Sequence, residues 1–422
     1  MMNVLVIGSG GREHALVWKL AYDSGCPELF CMPGNAGTAA LATNVPIAAE
    51  AVDEITEWAR VNRPDLTVIG PEAPLCAGLT DKLEALGLRV FGPNRAAAEL
   101  EGSKTFAKTI MESAGVPTAA AAAFTDSEAA LAYIDQQGGN VVIKADGLAA
   151  GKGVTVCDTR EQAEAAIRES LDEAVFGVAG GRVLIEERLE GEEASILALV
   201  DGERTLMLAA SQDHKRALDG DRGPNTGGMG AYSPAPVITD AHWPIIHERV
   251  FEPVLAELKR RGIVYKGVLY AGLMMTEDGP KVLEFNCRFG DPETQAILPR
   301  IEGDLLPALE ACVDGKLTPD LIRWRPEACV CVVMASGGYP GPYKKGIPIT
   351  GLAAADAADD TVVFHAGTML QADKVVTAGG RVLGVTALGA DLRSAVDRAY
   401  AAVRTIQFSG AAYRTDIAAK AL

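Results

Sequence analysis

Apolar runs at residues 4–7, 29–32, 66–69 and 88–91 alternate in the first hundred or so residues with helical patterning at 13–22, 80–86 and 96–113. That alternation predicts a doubly wound parallel sheet with helices on both faces. A sheet of this kind binds ligands beyond the carboxyl ends of its strands, where the connections turn back. Two turns fall at such ends, the glycine turn at 8–11 and the segment 70–72.

From about residue 118 the pattern shifts to longer antiparallel strands. They are expected at 141–144, 154–158, 183–187, 194–200, 205–211, 267–276 and 281–286, with helices at 160–171 and 245–261. Asp201-Gly202 reads as a hairpin turn. Residues 212–236 are rich in Gly and Pro, show little periodicity, and need either a function or disorder to explain their length. A third unit has strands at 329–335, 362–365 and 381–387 and a last helix at 392–405. With about 150 residues per domain, 422 residues divide into roughly three. The fold class is therefore α/β followed by α+β.

Composition narrows the setting. Hydrophobic residues at 48% and charged residues at 23% exclude a disordered chain, and no apolar run approaches the ~18 residues that span a bilayer. The start MMNVLVIGSGGREH has neither a basic opening nor a small-residue cleavage site, so a cytoplasmic protein is expected. The eight cysteines form no C-x-x-C pair, which favours buried thiols over disulfides or zinc. A net charge of −17 argues against nucleic acid and anionic membranes as partners. A phosphorylated small molecule would need a local reversal of charge, for which Lys104, Lys144, Lys152, Lys215, Arg216 and Arg288 are the candidates.

Three motifs carry chemistry. VLVIGSGGREHAL resembles a dinucleotide fingerprint, but Glu13 stands where its third glycine belongs and no acidic residue ends the second strand. A phosphate site on Gly10, Gly11 and Arg12, or a bare strand-to-helix turn, remains. VVIKADGLAAGKGVTV holds Gly147, Gly151, Lys152 and Gly153, one residue too short for a Walker loop and running on into a strand. Either it is a hairpin whose backbone N–H groups cover phosphates, with Lys144 beneath, or it is a purely structural hairpin. In VLEFNCRFGDPETQ, Glu284, Asn286 and Arg288 alternate and so share one strand face. A carboxylate and an amide oxygen suit Mg²⁺ bound with nucleotide phosphates, and the arginine suits charge on a transferring phosphoryl group. A solvent-facing edge strand would permit the same alternation.

The last two motifs, about 140 residues apart, resemble those of the ATP-grasp superfamily. With GSGGREHAL, GPEAPL, SQDHKR and GPNTGGMGAYSP the chain resembles, over nearly all its length, the phosphoribosylamine–glycine ligase family. The resemblance implies a Rossmann-like substrate domain at 1–103 and an ATP-grasp domain at 104–325, with a mobile lid at about 118–190. A small α+β domain at 326–422 would follow. It implies ligation of glycine to 5-phosphoribosylamine with ATP and Mg²⁺ or Mn²⁺, in purine synthesis, by a monomer.

Lys104 and Lys144 would contact ATP phosphates, Glu186, Glu187 and Leu189 the adenine, and Glu193 the ribose. Glu284 and Asn286 would hold the metal, and Arg288 would stand near the reacting phosphate with Lys144. The sugar phosphate would meet Gly10, Gly11, Arg12 and Glu72, under a loop of Asn225, Thr226, Gly227 and Gly228, and Asp213 would take the glycine ammonium. Many relatives carry a second metal carboxylate on the preceding strand, where this chain has Tyr270-Ala271-Gly272-Leu273. The rival readings are another ATP-grasp ligase, such as a carboxylase or formate-using transformylase, and a nucleotide-binding module without catalysis.

Overall fold

The computed structural model describes residues 2–25, 27–148, 153–173 and 180–422. Its first sheet has five parallel strands in the order Thr43–Asn44, Glu28–Pro33, Asn3–Gly8, Leu66–Ile69, Val90–Phe91. The order reverses on either side of Asn3–Gly8, so a ligand crevice opens beyond Gly8 and Gly70. The expected run at 88–91 shortens to Val90–Phe91, and Thr43–Asn44 is an edge pair too short to leave a periodic signal. The helix expected at 96–113 is two helices, Arg95–Gly102 and Lys104–Ala114. Ser103 between them is extended, and its hydroxyl accepts the Phe106 N–H at 3.1 Å, restarting the helix as an N-cap. That break puts Lys104 at a helix start.

Two antiparallel sheets of four strands follow. One runs Thr205–Met207, Glu192–Asp201, Lys266–Thr276, Gly279–Asn286, and the other Ala121–Phe124, Val183–Glu187, Val141–Ala145, Val154–Cys157. Lys144 Nζ crosses from the second to the Leu283 carbonyl of the first at 2.7 Å, and Val282 N–H donates to Pro117 O at 2.8 Å. The sheets therefore meet along the strand that carries Glu284.

A five-stranded antiparallel sheet completes the fold, in the order Gln212–Asp213, Gly230–Ser233, Ala328–Ala335, Arg381–Gly389, Thr361–His365. The stretch 212–236 is thus ordered. It supplies two strands to this sheet and a hairpin, Arg216–Leu218 with Arg222–Asn225. Each piece has two to four residues, below the length at which periodicity is visible. Seven cysteines are free among the described residues, and Cys329 and Cys331 are both buried on one strand; Cys26 lies outside the described residues. No described helix is long and apolar enough to cross a membrane.

The turn at Asp201 and Gly202 forms as expected, with Val200 paired to Thr205. Its side chain adds a second reason for aspartate. The fully buried carboxylate accepts N–H groups of Glu203 at 3.0 Å, Arg204 at 2.7 Å and Leu317 at 3.0 Å, and the Arg204 guanidinium at 3.1 Å. Burial alone would raise its pKa, but these donors hold it below the usual carboxylate value. Asp201→Ala is expected to lose about 2–4 kcal/mol in urea unfolding at pH 7. Because the folded pKa is depressed, the loss is fully present above pH ~4 and shrinks as pH falls below it. A variant as stable as the parent at pH 7 would contradict this account.

Candidate active site

Glu284 and Asn286 lie opposite Gly272 and Tyr270 in the antiparallel ladder. The register slips beside Gly272, because Leu273 pairs with Val282 and leaves Leu283 as the extra residue. The bulge frees the Leu283 carbonyl to receive Lys144. A Cβ at position 272 would stand 3.3 Å from Glu284 Cγ, so the glycine there leaves room for the carboxylate in place of a second acid.

Positive charge surrounds Glu284. Lys215 Nζ lies 4.0 Å from Glu284 Oε1 and 2.7 Å from Glu193 Oε2. Lys104 Nζ donates to the Gly147 carbonyl at 2.9 Å. Burial would raise the pKa of Glu284, yet Lys215, Lys144, Lys104 and Arg288 together hold it below the usual carboxylate range. Burial pushes the Lys104 ammonium down despite Glu284, and Lys215, although buried, is raised by Glu193, Asp213 and Glu284. Asp213 has the opposite fate. Burial pushes it up to about 8; Lys215 opposes the shift, and Glu293, Glu193 and Glu284 add to it. Glu293 is itself buried, accepting the Tyr270 hydroxyl at 2.8 Å and the Ser195 hydroxyl at 3.3 Å.

On the nucleotide side the buried Glu186 carboxylate bridges Lys108 at 2.7 Å and Lys144 at 2.6 Å. Its side chain is thus held by lysines, and its backbone lies in the ladder between Val142 and Ala121. Glu187 uses its N–H on Ala120 O at 2.9 Å and its carboxylate on Ala120 N–H at 3.1 Å. Leu189 follows the end of that strand and is half-buried. Gly153 closes the hairpin, its carbonyl accepting Ala145 N–H at 2.8 Å. Gly151 and Lys152 lie outside the described residues.

On the other side Arg288 gathers three groups. Its guanidinium meets Glu72 at 3.2 Å, Glu101 at 2.8 Å and Asn286 Oδ1 at 3.4 Å. The Gly10–Arg12 turn lies close by but is already capped by carboxylates. Gly10 N–H donates to Glu13 Oε2 at 2.6 Å and Arg12 N–H to Asp291 Oδ2 at 3.3 Å. A Cβ on Gly11 would fall 2.4 Å from Gln295 Nε2. The Arg12 guanidinium is turned inward onto Glu13 at 2.6 Å and the Phe289 carbonyl at 3.0 Å. Thr226 pins its loop to the Lys215 carbonyl through N–H at 2.7 Å and Oγ1 at 2.9 Å. Asn225 Nδ2 reaches the Val154 carbonyl at 3.3 Å.

The structure thus gathers Lys104, Lys144, Lys215, Glu193, Glu284, Asn286, Asp213, Glu72 and Arg288 around one cleft. Sequence reasoning missed Glu101, Lys108, Asp291, Glu293 and Gln295. Asp291, Glu293 and Gln295 stand inside the quoted GDPETQ segment and could have been assigned; the others carry no local pattern.

Two antiparallel sheets meeting on a strand that carries an acid and an amide, with an arginine just past its end and lysines converging from the second sheet, a helix start and a loop, define an ATP-grasp protein. Family models agree along the chain: the phosphoribosylglycinamide synthetase N domain matches residues 2–101, its ATP-grasp (A) domain 102–294, and its C domain 329–420. The chain is 51% identical to the phosphoribosylamine–glycine ligase of Rhodopirellula baltica, with 100% of this chain and 98% of that protein covered. It is 52% identical to the one of Pseudomonas aeruginosa, with the same coverage. The crystal structure of phosphoribosylamine–glycine ligase from Thermotoga maritima superposes with a TM-score of 0.87 at 35% identity, covering 99% of this chain and 100% of that one. The biotin carboxylase domain of a 2-oxoglutarate carboxylase from Hydrogenobacter thermophilus shares the fold at TM-score 0.74 and 18% identity, with 97% and 91% covered. The chain belongs to the phosphoribosylglycinamide synthetase family.

The raised pKa of Asp213 has a consequence for stability. Between pH ~4 and about 8 an unfolded chain releases a proton that the folded chain keeps, so stability is lost as pH rises through this window. Asp213→Asn removes that loss. In the ligand-free protein its melting temperature should gain on the parent progressively from pH 4 to pH 8; a difference that stays flat across that range would contradict the assignment.

Proposed function

We propose that this protein joins glycine to 5-phosphoribosylamine at the expense of ATP, giving glycinamide ribonucleotide, ADP and phosphate in purine synthesis. The observation that carries the reading is Glu284, half-buried in the cleft and kept ionised by Lys215, Lys144, Lys104 and Arg288. A carboxylate so placed is a metal ligand beside a polyanion, and the family supplies the substrates.

The donor set fits the metal. Glu284 and Asn286 offer two hard oxygens from one strand face, and the glycine at 272 leaves the acid room. Among the described residues no group of three or more His, Cys, Asp or Glu could hold an ion, so the phosphates of ATP would complete the shell. When bound, Mg²⁺ or Mn²⁺ neutralises phosphate charge there.

The chemistry runs in two displacements. A glycine carboxylate oxygen attacks the γ-phosphorus, the bond to the β–γ bridging oxygen breaks, and ADP leaves. The amine of the sugar then attacks the glycyl carbonyl, phosphate leaves with the C–O bond pair, and the amine loses a proton. Activation is required because a free carboxylate has no leaving group. Lys104 and Lys144 bind the phosphates, and Arg288 neutralises the charge that develops on the transferring group. Asp213 receives the glycine ammonium, whose charge returns its carboxyl to the ionised form. The loop of Asn225, Thr226, Gly227 and Gly228 holds the sugar phosphate against the turn of Gly10, Gly11 and Arg12, and Glu72 accepts from its ribose hydroxyls. The loop's link from Asn225 to Val154 supports joint closure of loop and hairpin, which keeps water from the acyl phosphate. Adenine is read at Glu186, Glu187 and Leu189 through groups the ladder leaves free. The free thiols among the described residues support the cytoplasm.

An assay of ADP release with glycine, bicarbonate and formate offered separately tests the function. Release is expected only with glycine and phosphoribosylamine together; release driven by bicarbonate or formate would overturn it. Glu284→Ala is expected to lower kcat/KM by about 10³-fold or more. Its melting temperature should fall modestly, since the cations around it lose a counter-charge. Turnover at the parent rate in that variant would remove Glu284 from the metal site.

A further inference from the structure

We propose that Arg381, from the third sheet, is a positioning residue for the sugar-amine substrate. It would act by latching the Gly227–Gly228 loop onto the turn at Asp291. This rests on the reading that the loop holds phosphoribosylamine.

Arg381 opens the strand Arg381–Gly389 and is only partly exposed. Its Nη1 donates to three backbone carbonyls, those of Gly227, Gly228 at 3.4 Å and Asp291 at 2.7 Å, while Nη2 lies 3.5 Å from Asp291 Oδ1. Asp291 carries the connection onward. Its Oδ1 accepts Gln295 Nε2 at 2.8 Å, and its Oδ2 accepts the Arg12 N–H at 3.3 Å. One guanidinium thus joins the loop to the segment after Arg288, and through Asp291 to the Gly10–Arg12 turn. The Tyr339 hydroxyl accepts the Gly227 N–H at 3.2 Å and holds the loop from the same side.

The loop's glycines are shaped to this contact. A Cβ on Gly227 would lie 3.0 Å from Arg381 Cζ, and one on Gly228 would lie 2.4 Å from Pro292 Cδ. Gly228 also has φ +111°, which side chains rarely adopt. Backbone of this kind has no side chains with which to hold its own position, so the donors that fix it come from elsewhere. Arginine suits the task because a planar fork serves several acceptors at once, whereas an ammonium is a single point. None of these contacts reaches Lys104, Lys144 or Glu284, so the latch acts on the sugar side of the cleft, and its loop touches the nucleotide hairpin only through Asn225 and Val154.

The test is steady-state kinetics on the full-length chain, with each substrate varied in turn. Arg381→Met is expected to raise the KM for phosphoribosylamine by about tenfold or more, leaving the KM for ATP and glycine within about twofold. Arg381→Lys should fall between, keeping the pairing with Asp291 but not the fork. A purely structural role would lower the melting temperature and the active fraction without that split in KM. Should Arg381→Met fail to fold, Tyr339→Phe removes one acceptor only, and a rise of about two- to threefold in the same KM is expected. An unchanged phosphoribosylamine KM in Arg381→Met, or in Tyr339→Phe if that variant must stand alone, overturns the proposal. Thr226→Val separates the two levels. If it raises the sugar-amine KM while Arg381→Met does not, only the latch falls; if neither raises it, the loop is not the sugar site and both readings fall.

Discussion

Arg288 sits between Glu72 and Glu101, which come from the first domain, while Arg288 itself lies two residues past the strand that carries Glu284 and Asn286. The remaining geometry of the cleft depends on that pairing. Glu101 also accepts the Cys287 N–H at 2.8 Å, so it fixes both the charge and the backbone of the strand end. Taking an ion out of water costs several kcal/mol even after relaxation, and partners offset it only when the geometry is good. Loss of Glu101 or Glu72 would leave the guanidinium under-paired, and loss of Arg288 would leave two carboxylates facing each other. The parallel sheet and the antiparallel one are therefore held in one relative position by electrostatics as well as by apolar packing. The two acids share unequally. Burial dominates at Glu101 and raises its pKa, whereas Arg288 and Arg12 outweigh burial at Glu72 and lower it.

The same balance explains how a chain of net charge −17 can bind polyanions. Screening at physiological salt cuts long-range repulsion beyond about 8 Å, so what matters is the charge within the cleft. Among the described residues there, most cations are already matched: Lys144 and Lys108 by Glu186, Lys215 by Glu193, Arg288 by Glu72 and Glu101. Lys104 is the exception in kind, since its direct partner is the neutral Gly147 carbonyl. Burial lowers its pKa because that carbonyl returns less than a counter-ion would. An incoming phosphate can supply what is missing. Binding then stabilises Lys104 outright and asks the other lysines to share partners they already have.

The legible part of this site was the part with a short period. Glu284 and Asn286 alternate along one strand, so their common face could be read from spacing two; Arg288, expected on that face, lies two residues past the strand's end. The first sheet was legible for a similar reason, since each buried strand is a continuous apolar run. Glu101 and Arg381 could not be found this way. Each acts on a segment far away in sequence, Arg381 on a loop 154 residues earlier, and nothing beside it marks the partner. The ordered strands in 212–236 were hidden for a third reason. Glycine and proline interrupt the stretch, and Gly230–Ser233 is paired by Ala328–Ala335, which lies about a hundred residues on.

Glycine-rich turns were the hardest feature to interpret, because they invite a ligand wherever they occur. At Gly10 and Gly11 the structure supplies a different cause. The helix N-terminus there already faces Glu13 and Asp291, and the missing side chains make room for Gln295 and for those carboxylates. A phosphate brought to this turn would find its N–H groups already taken by Glu13 and Asp291, leaving only the N-terminal dipole, about half a unit charge, to recruit it. Arg12 and Arg381 add no free cation, being paired with Glu13 and Asp291. What the turn offers instead is a rigid wall, docked through Asp291 and Gln295 to the end of the catalytic strand. Anion binding on that side then requires cations from outside the first domain. This is why a substrate site that looks local in sequence takes residues from every part of the chain.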